Sequence, residues 1–188
     1  SALNELNIYA DKTIYNFSSM TSSIGKFTAA GVGLTESVSA IKGLSNVAAV
    51  AGSDANQLST AMYQLSQAIS AGTVRAQDWM SVTNAGMDTE AFRNSLIETA
   101  RAHGIAIDDI IAKNGSFKAS LQEEWLSADI MLETLSKFTG DLTDEQLRAM
   151  GYTEEQIKNI QQLATVANDS AVKVKTFTQL IGTLNEAV

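Results

Sequence analysis

The 188-residue chain carries one histidine and no cysteine, so any chemistry it performs must rest on His103 and on its carboxylates. Imidazole is the commonest general base near neutral pH. His103, however, stands immediately before Gly104 at an expected helix end, where the ring can bond the last carbonyls and complement the helix dipole. No second histidine exists to complete a metal set or a triad. The missing cysteines remove thiolate nucleophiles, disulfides, thiolate zinc sites and iron–sulfur clusters.

Three acidic pairs, Asp108-Asp109, Glu123-Glu124 and Glu154-Glu155, supply carboxylates of the kind that flank a scissile bond in glycosidases. Adjacent residues on a helix do not face each other, and two of these pairs fall in expected first turns, where negative charge is favoured anyway. Asp141, Asp144 and Glu145 lack the alternating spacing and the turn glycine of a calcium loop. Gly31-Val32-Gly33 has no third glycine and follows a helical pattern rather than a strand, so it does not match a dinucleotide-binding turn. The residues therefore predict no enzymatic activity, no cofactor and no metal site.

The elements that would position these groups are all helical. Average usage would place about 9 prolines in a chain this long, yet there are none; proline breaks helices, and its absence beside 45% hydrophobic content points to an all-α protein. Leu3, Leu6, Ala10, Phe17, Met20, Ile24 and Phe27 keep heptad spacing with Thr13 as the one exception, which predicts a single long helix over about the first 28 residues. Thr35 is the expected N-cap of a helix that Gly52 stops. Asp54 and Gln57 form a capping-box pattern for a third helix ending at Gly72. Short helices are expected around 77–84, from Asp88 or Thr89 to Gly104, and from Asp108 to Gly115. The apolar series Phe117, Leu121, Trp125, Ala128, Leu132, Leu135 and Phe138 predicts one helix of about six turns. A small helix over 142–150 follows. Thr153 and Gln156 then open a last long helix, with Ile157, Ile160, Ala164, Ala167, Ala171, Val174 and Ile181 on its seam and Asn168-Asp169-Ser170 as an interruption. The expectation is a multi-helix bundle of about seven to nine helices with long first and last members. It divides into residues 1–104 and an acidic continuation, 105–188, packed on the first part. The start at Ser1 and the stop within a helical pattern suggest a fragment of a longer chain.

Residues 1–75 hold four basic and four acidic side chains, so the whole net charge of −8 lies in residues 76–188. That balance argues against binding a phosphate backbone, and no nucleic acid partner is expected. No stretch is long and apolar enough to be a membrane segment. The neutral half is rich in Gly, Ala, Ser and Thr, which suit either a bundle interior or a partner surface. Tyr63, Gln64 and Gln67, opposite the apolar stripe of their helix, form the candidate partner interface together with Trp79, a residue type that serves as a core or interface anchor. Self-association through the terminal heptads is a further expectation.

Several strings in order are more specific than any of these features: Y-A-D-K-T-I-Y-N-F at 9–17, I-G-K-F-T-A-A-G-V at 24–32, A-I-K-G-L-S-N-V-A-A at 40–49, A-M-Y-Q-L-S-Q-A at 61–68 and D-W-M-S-V-T-N-A-G-M at 78–87. Together they resemble the N-terminal domain of tail tape measure proteins of long-tailed phages and prophages. F-K-A-S-L-Q-E-E-W-L-S at 117–127 and V-K-V-K-T-F-T-Q-L-I-G-T-L-N-E-A at 172–187 resemble its continuation. One departure is Asp88-Thr89, where the family usually has a further glycine or two. The resemblance implies a structural protein of the virion tail, located in the tube lumen and assembled in the bacterial host cytoplasm. It would set tail length and help initiate the tail tube, with tail tube, distal tail or tail assembly chaperone proteins as partners. The rival reading is a generic helical interaction module, such as a secreted effector or a sensory coiled coil.

Overall fold

A computed structural model describes residues 1–13, 15 and 17–187, with the backbone alone at 17, 174–183 and 185–187. Among the described residues there are eleven α-helices, one 3₁₀ turn and no strand. They are α1 (Ala2–Lys12), α2 (Phe17–Ala29), α3 (Leu34–Ala51), α4 (Ala55–Ala71), α5 (Ala76–Asn84), α6 (Glu90–Ala102), α7 (Ile107–Asn114), α8 (Phe117–Ser120), α9 (Ala128–Lys137), α10 (Asp144–Ala149) and α11 (Glu154–Ala187). The all-α expectation holds, while the count exceeds seven to nine because two expected long helices are broken.

The first break lies in the heptad series. Thr13 is extended (φ −129°, ψ 172°) and buried, and the Tyr15 N–H donates to its Oγ1 at 3.3 Å. Such a local side-chain bond competes with helix, so Thr13, the one residue out of register, ends α1. An unbroken helix of 28 residues would run about 42 Å, well beyond the roughly 27 Å of α3. The break lets α1 and α2 each lie on α3 separately. The expected seam residues Phe17, Val174 and Ile181 lie outside the described side chains.

The second break divides the expected helix at 117–138. After α8 and the 3₁₀ turn Leu121–Glu123, Glu124 takes a left-handed conformation (φ 56°) and the chain runs extended into α9. There the Val74 N–H donates to the Leu126 carbonyl at 2.8 Å and the Ala128 N–H to the Gly72 carbonyl at 3.0 Å. The indole of Trp125 donates to Ser120 Oγ at 3.0 Å. Trp125 and Leu126 are thus buried from an extended segment, on a pairing with the loop after α4 that lies some fifty residues away.

Smaller adjustments concern caps. Gly33 rather than Thr35 precedes α3, Ala106 rather than Asp108 precedes α7, and the helix expected over 142–150 is confined to α10 after its N-cap, Thr143. The capping boxes at Asp54/Gln57 and Thr153/Gln156 are present. Asn168-Asp169-Ser170 does not interrupt α11, which runs unbroken as the longest helix.

The centre of the bundle is α3, buried nearly all round from Ser37 to Ala49. A helix enclosed in this way needs small residues on several faces; Ala40, Gly43, Ser45, Ala48 and Ala49 supply them while α1, α2, α4, α9 and α11 pack about it. The small residues of α3 therefore serve the interior, while those of α2, such as Ser18, Ser22 and Gly25, face solvent. One buried cluster extends from Leu6 on α1 to Ala167 on α11. A second, small one joins Leu147, Tyr152, Ile157 and Ile160. Four aromatic contacts tie α5, α6, α8 and α9 together: Trp79 to Phe92 at 5.4 Å, Trp79 to Phe117 at 5.0 Å, Phe92 to Phe138 at 6.0 Å and Phe117 to Trp125 at 5.6 Å between ring centroids. The first two pairs are tilted and the last two edge-on, arrangements that add to the burial of their large apolar surfaces.

Candidate functional site

The groups that could do chemistry are dispersed and paired structurally. His103 caps α6, and its Nε2 lies 3.1 Å from Glu133 Oε1, whose second oxygen accepts the Tyr152 hydroxyl at 2.8 Å. Asp108 bonds Arg101 at 3.0 and 3.1 Å, Glu124 pairs with Arg75 at 3.3 Å, and Glu154 with Arg148 at 2.5 Å. These pairs are exposed and contribute little to stability. Among the described residues no group of three His, Asp or Glu is placed to hold a metal ion, and no helix is long and apolar enough to cross a membrane.

The candidate interface is only partly assembled. Tyr63 and Gln67 project from α4 into solvent, with Gln67 Nε2 donating to the Tyr63 hydroxyl at 2.7 Å and Lys26 Nζ 4.9 Å from the ring centroid. Gln64 beside them is half-buried. Trp79 is fully buried in the aromatic cluster, so it does not share a surface with the other three. Its indole N–H has no hydrogen-bond partner among the described residues.

Two polar features inside the bundle have no counterpart in the helical periodicity. The first is centred on Asn46 of α3, which is wholly buried. Its Oδ1 accepts the Tyr9 hydroxyl at 2.7 Å, and its Nδ2 donates to the Phe138 carbonyl at 2.9 Å and to Asn168 Oδ1 at 2.8 Å. Asn168 Nδ2 in turn donates to the Thr139 carbonyl at 2.9 Å. One amide thus connects α1, the end of α9 and α11. The second is Lys137, whose side chain is 1% exposed. Its ammonium donates to the Ser95 carbonyl and to Glu98 Oε1, both at 3.0 Å, and lies 4.9 Å from the Tyr152 ring centroid. Burial pulls its pKa below the ordinary lysine range, against the opposing pull of the Glu98 carboxylate. The nearest sequence signal was the Asn-Asp-Ser run at 168–170; nothing in a helical repeat distinguishes Lys137 from a solvated lysine.

Removing one partner of a buried pair leaves an uncompensated charge, whereas removing the buried charge itself does not. Glu98→Gln is therefore expected to cost about 3 kcal/mol. Lys137→Met leaves behind a carboxylate that reaches solvent, with 23% of its side chain exposed, and is expected to cost about 1 kcal/mol. Urea denaturation of the two variants checks the order, and a larger loss for Lys137→Met would contradict it.

Tyr15 has its phenol pushed up to about 12, by burial first and by the Asp54 carboxylate second. Burial also raises Tyr9 and Tyr152. Above pH of about 10 the unfolded chain sheds phenolic protons that the folded chain retains, so the folded state binds more protons and stability falls as pH rises. Lys137, with its lowered pKa, acts in the opposite sense below pH of about 10.4 and stops contributing a slope above it. A cooperative alkaline unfolding is expected to begin above pH of about 10, with tyrosinate absorbance rising together with loss of the helical circular dichroism signal. Tyrosinate appearing fully while the helices persist would refute the assignment.

No curated protein and no solved structure matches the chain. A family model described as tape measure protein matches residues 1–146, which takes in α1 to α9 with their aromatic cluster and the whole of the buried helix α3. With 146 of its 188 residues matched, the chain belongs to the tape measure protein family.

Proposed function

We propose that this part of a phage tail structural protein works as a folded assembly or anchoring domain, and that the length-setting segment lies elsewhere in the tail protein. Family membership gives the structural role in the phage tail. The observation that carries the finer reading is the wrapping of helices about α3. Laid end to end as one helix, 188 residues would span about 280 Å, whereas α11, the longest helix, covers only about 51 Å. A bundle folded back on itself is a poor ruler, but it offers a firm docking body.

In this reading the domain acts during assembly in the host cytoplasm, against a tail tube, distal tail or assembly chaperone protein, and enters the tube lumen. The side of α4 bearing the exposed Tyr63 and Gln67 and the half-buried Gln64 is the proposed contact face, since Gln67 and Lys26 hold the Tyr63 ring in place. An in-frame deletion of residues 1–171, with tails measured by electron microscopy, tests the role. A ruler would give tails shorter by about 260 Å, and that result, or normal tails, would overturn the proposal. Loss of tails or tails of uncontrolled length is the expected outcome.

A further inference from the structure

We infer that the segment from Asp141 through α10 to the described part of α11 is a hinged arm, which opens from the body of the bundle as one unit while α1 to α9 stay folded. Five observations converge on this division. The arm has its own small apolar cluster of Leu147, Tyr152, Ile157 and Ile160, so it retains a core when it leaves. Among the described residues after Phe138, only Ala167 belongs to the main cluster, with Leu163 partly buried against it. α11 lies along α3 and buries Ala164, Ala167 and Ala171 there, so the apolar contact between arm and body is made largely by single methyl groups, each of which covers little area.

What joins the two is chiefly polar. Asn168 bonds Asn46 at 2.8 Å, Asp141 accepts from Lys42 at 2.5 Å, and the Tyr152 hydroxyl donates to Glu133 at 2.8 Å. Water can replace such bonds once the seam opens, which apolar contacts do not permit. Clefts flank the seam on both sides. One of about 290 Å³ lies between α1 and α11, over Tyr9, Lys42, Gly140 and Asn168. The other, of about 180 Å³, lies between α6, α9 and α11, over Lys137, Ile160 and Leu163. At the junction, Gly140 adopts φ +78°, and a Cβ there would stand 2.7 Å from Asn168 Nδ2. A residue without a side chain is what the turn and the close approach of α11 both require, and it can absorb the backbone rotation of an opening.

The family match ends at residue 146, inside α10, so the boundary of the shared sequence falls within this arm. Opening would uncover the polar side of α3 around Asn46 and Lys42. Cooperative units that open below the global transition are read by native-state hydrogen exchange. In the intact 188-residue chain, amides of 154–171 are expected to exchange at least tenfold faster than those of α3, α4 and α9, together with those of α10. In Asn168→Ala the 144–171 amides are expected to speed up by a further tenfold or more, with α4 and α6 unchanged. Equal protection of 154–171 and α3 in the parent chain would overturn the arm. So would acceleration of all helices alike in the variant; the parent measurement decides the matter if that variant does not fold.

Discussion

Replacing Gly43 with alanine is expected to destabilise the bundle by roughly 4 kcal/mol, a large part of the stability of an ordinary domain. A Cβ at this position would stand 2.0 Å from the Leu135 carbonyl oxygen and 2.7 Å from its carbon. Both are main-chain atoms in the last turn of α9, so no side chain can swing aside and the two helices must separate. Alanine gains about 1 kcal/mol over glycine in a helix interior, too little to offset forced separation in a packed core. Gly25 in α2 is the control, because nothing lies within 4 Å of the Cβ that alanine would add there. Gly25→Ala should therefore stabilise by up to about 1 kcal/mol. The same substitution at two helical glycines is thus expected to move the urea midpoint in opposite directions. Equal shifts would show that the close crossing of α3 and α9 is not what Gly43 serves.

The second large effect is expected at Asn46. Asn46→Ala removes three hydrogen bonds from a wholly buried side chain and leaves the Tyr9 hydroxyl, the Phe138 carbonyl and one oxygen of Asn168 short of a partner. At roughly 1 to 1.5 kcal/mol for each bond, and more where a buried group stays unsatisfied, the loss should reach about 4 kcal/mol. Asn46→Asp offers the finer test, since it keeps the shape and the acceptor for Tyr9 but replaces the two donations with an oxygen facing two oxygens. It should be at least as damaging as alanine at neutral pH. Chemical denaturation of both variants measures this; an aspartate as stable as the parent would mean that the amide is not a hub.

These two residues also show where the sequence was legible and where it was not. Helix chemistry is local. The capping box at Asp54 and Gln57, and the left-handed glycines 52, 72, 104, 115, 140 and 151, follow from residues within one turn of each other, and these mark helix ends directly. The apolar period matches the buried residues wherever a helix buries one stripe, as in α4 and α6. It misled at Thr13 and across 117–138, where heptad spacing continues through breaks that other parts of the chain impose. The extended segment at 125–127 exists because the loop after α4 pairs with it, and a periodicity cannot register a partner so distant in the chain.

The candidate site divides along the same line. Tyr63, Gln64 and Gln67 share one side of α4 because of helical spacing alone, while Trp79 belongs with Phe92 and Phe117 inside the aromatic cluster. Asn46 and Lys137 resemble ordinary polar positions of amphipathic helices, and only the packing of several helices about them made them interior. By itself the sequence determined that this protein is helical, where most of its helices begin and end, and to which family it is similar, since each of these is written in neighbouring residues or in ordered strings. Tertiary structure alone decided that α3 is enclosed, that Gly43 must stay bare, that a buried amide joins both ends of the bundle, and that α11 meets α3 largely through alanines. Those features arise from contacts between residues as many as 122 positions apart, and a one-dimensional pattern carries no record of which distant faces meet.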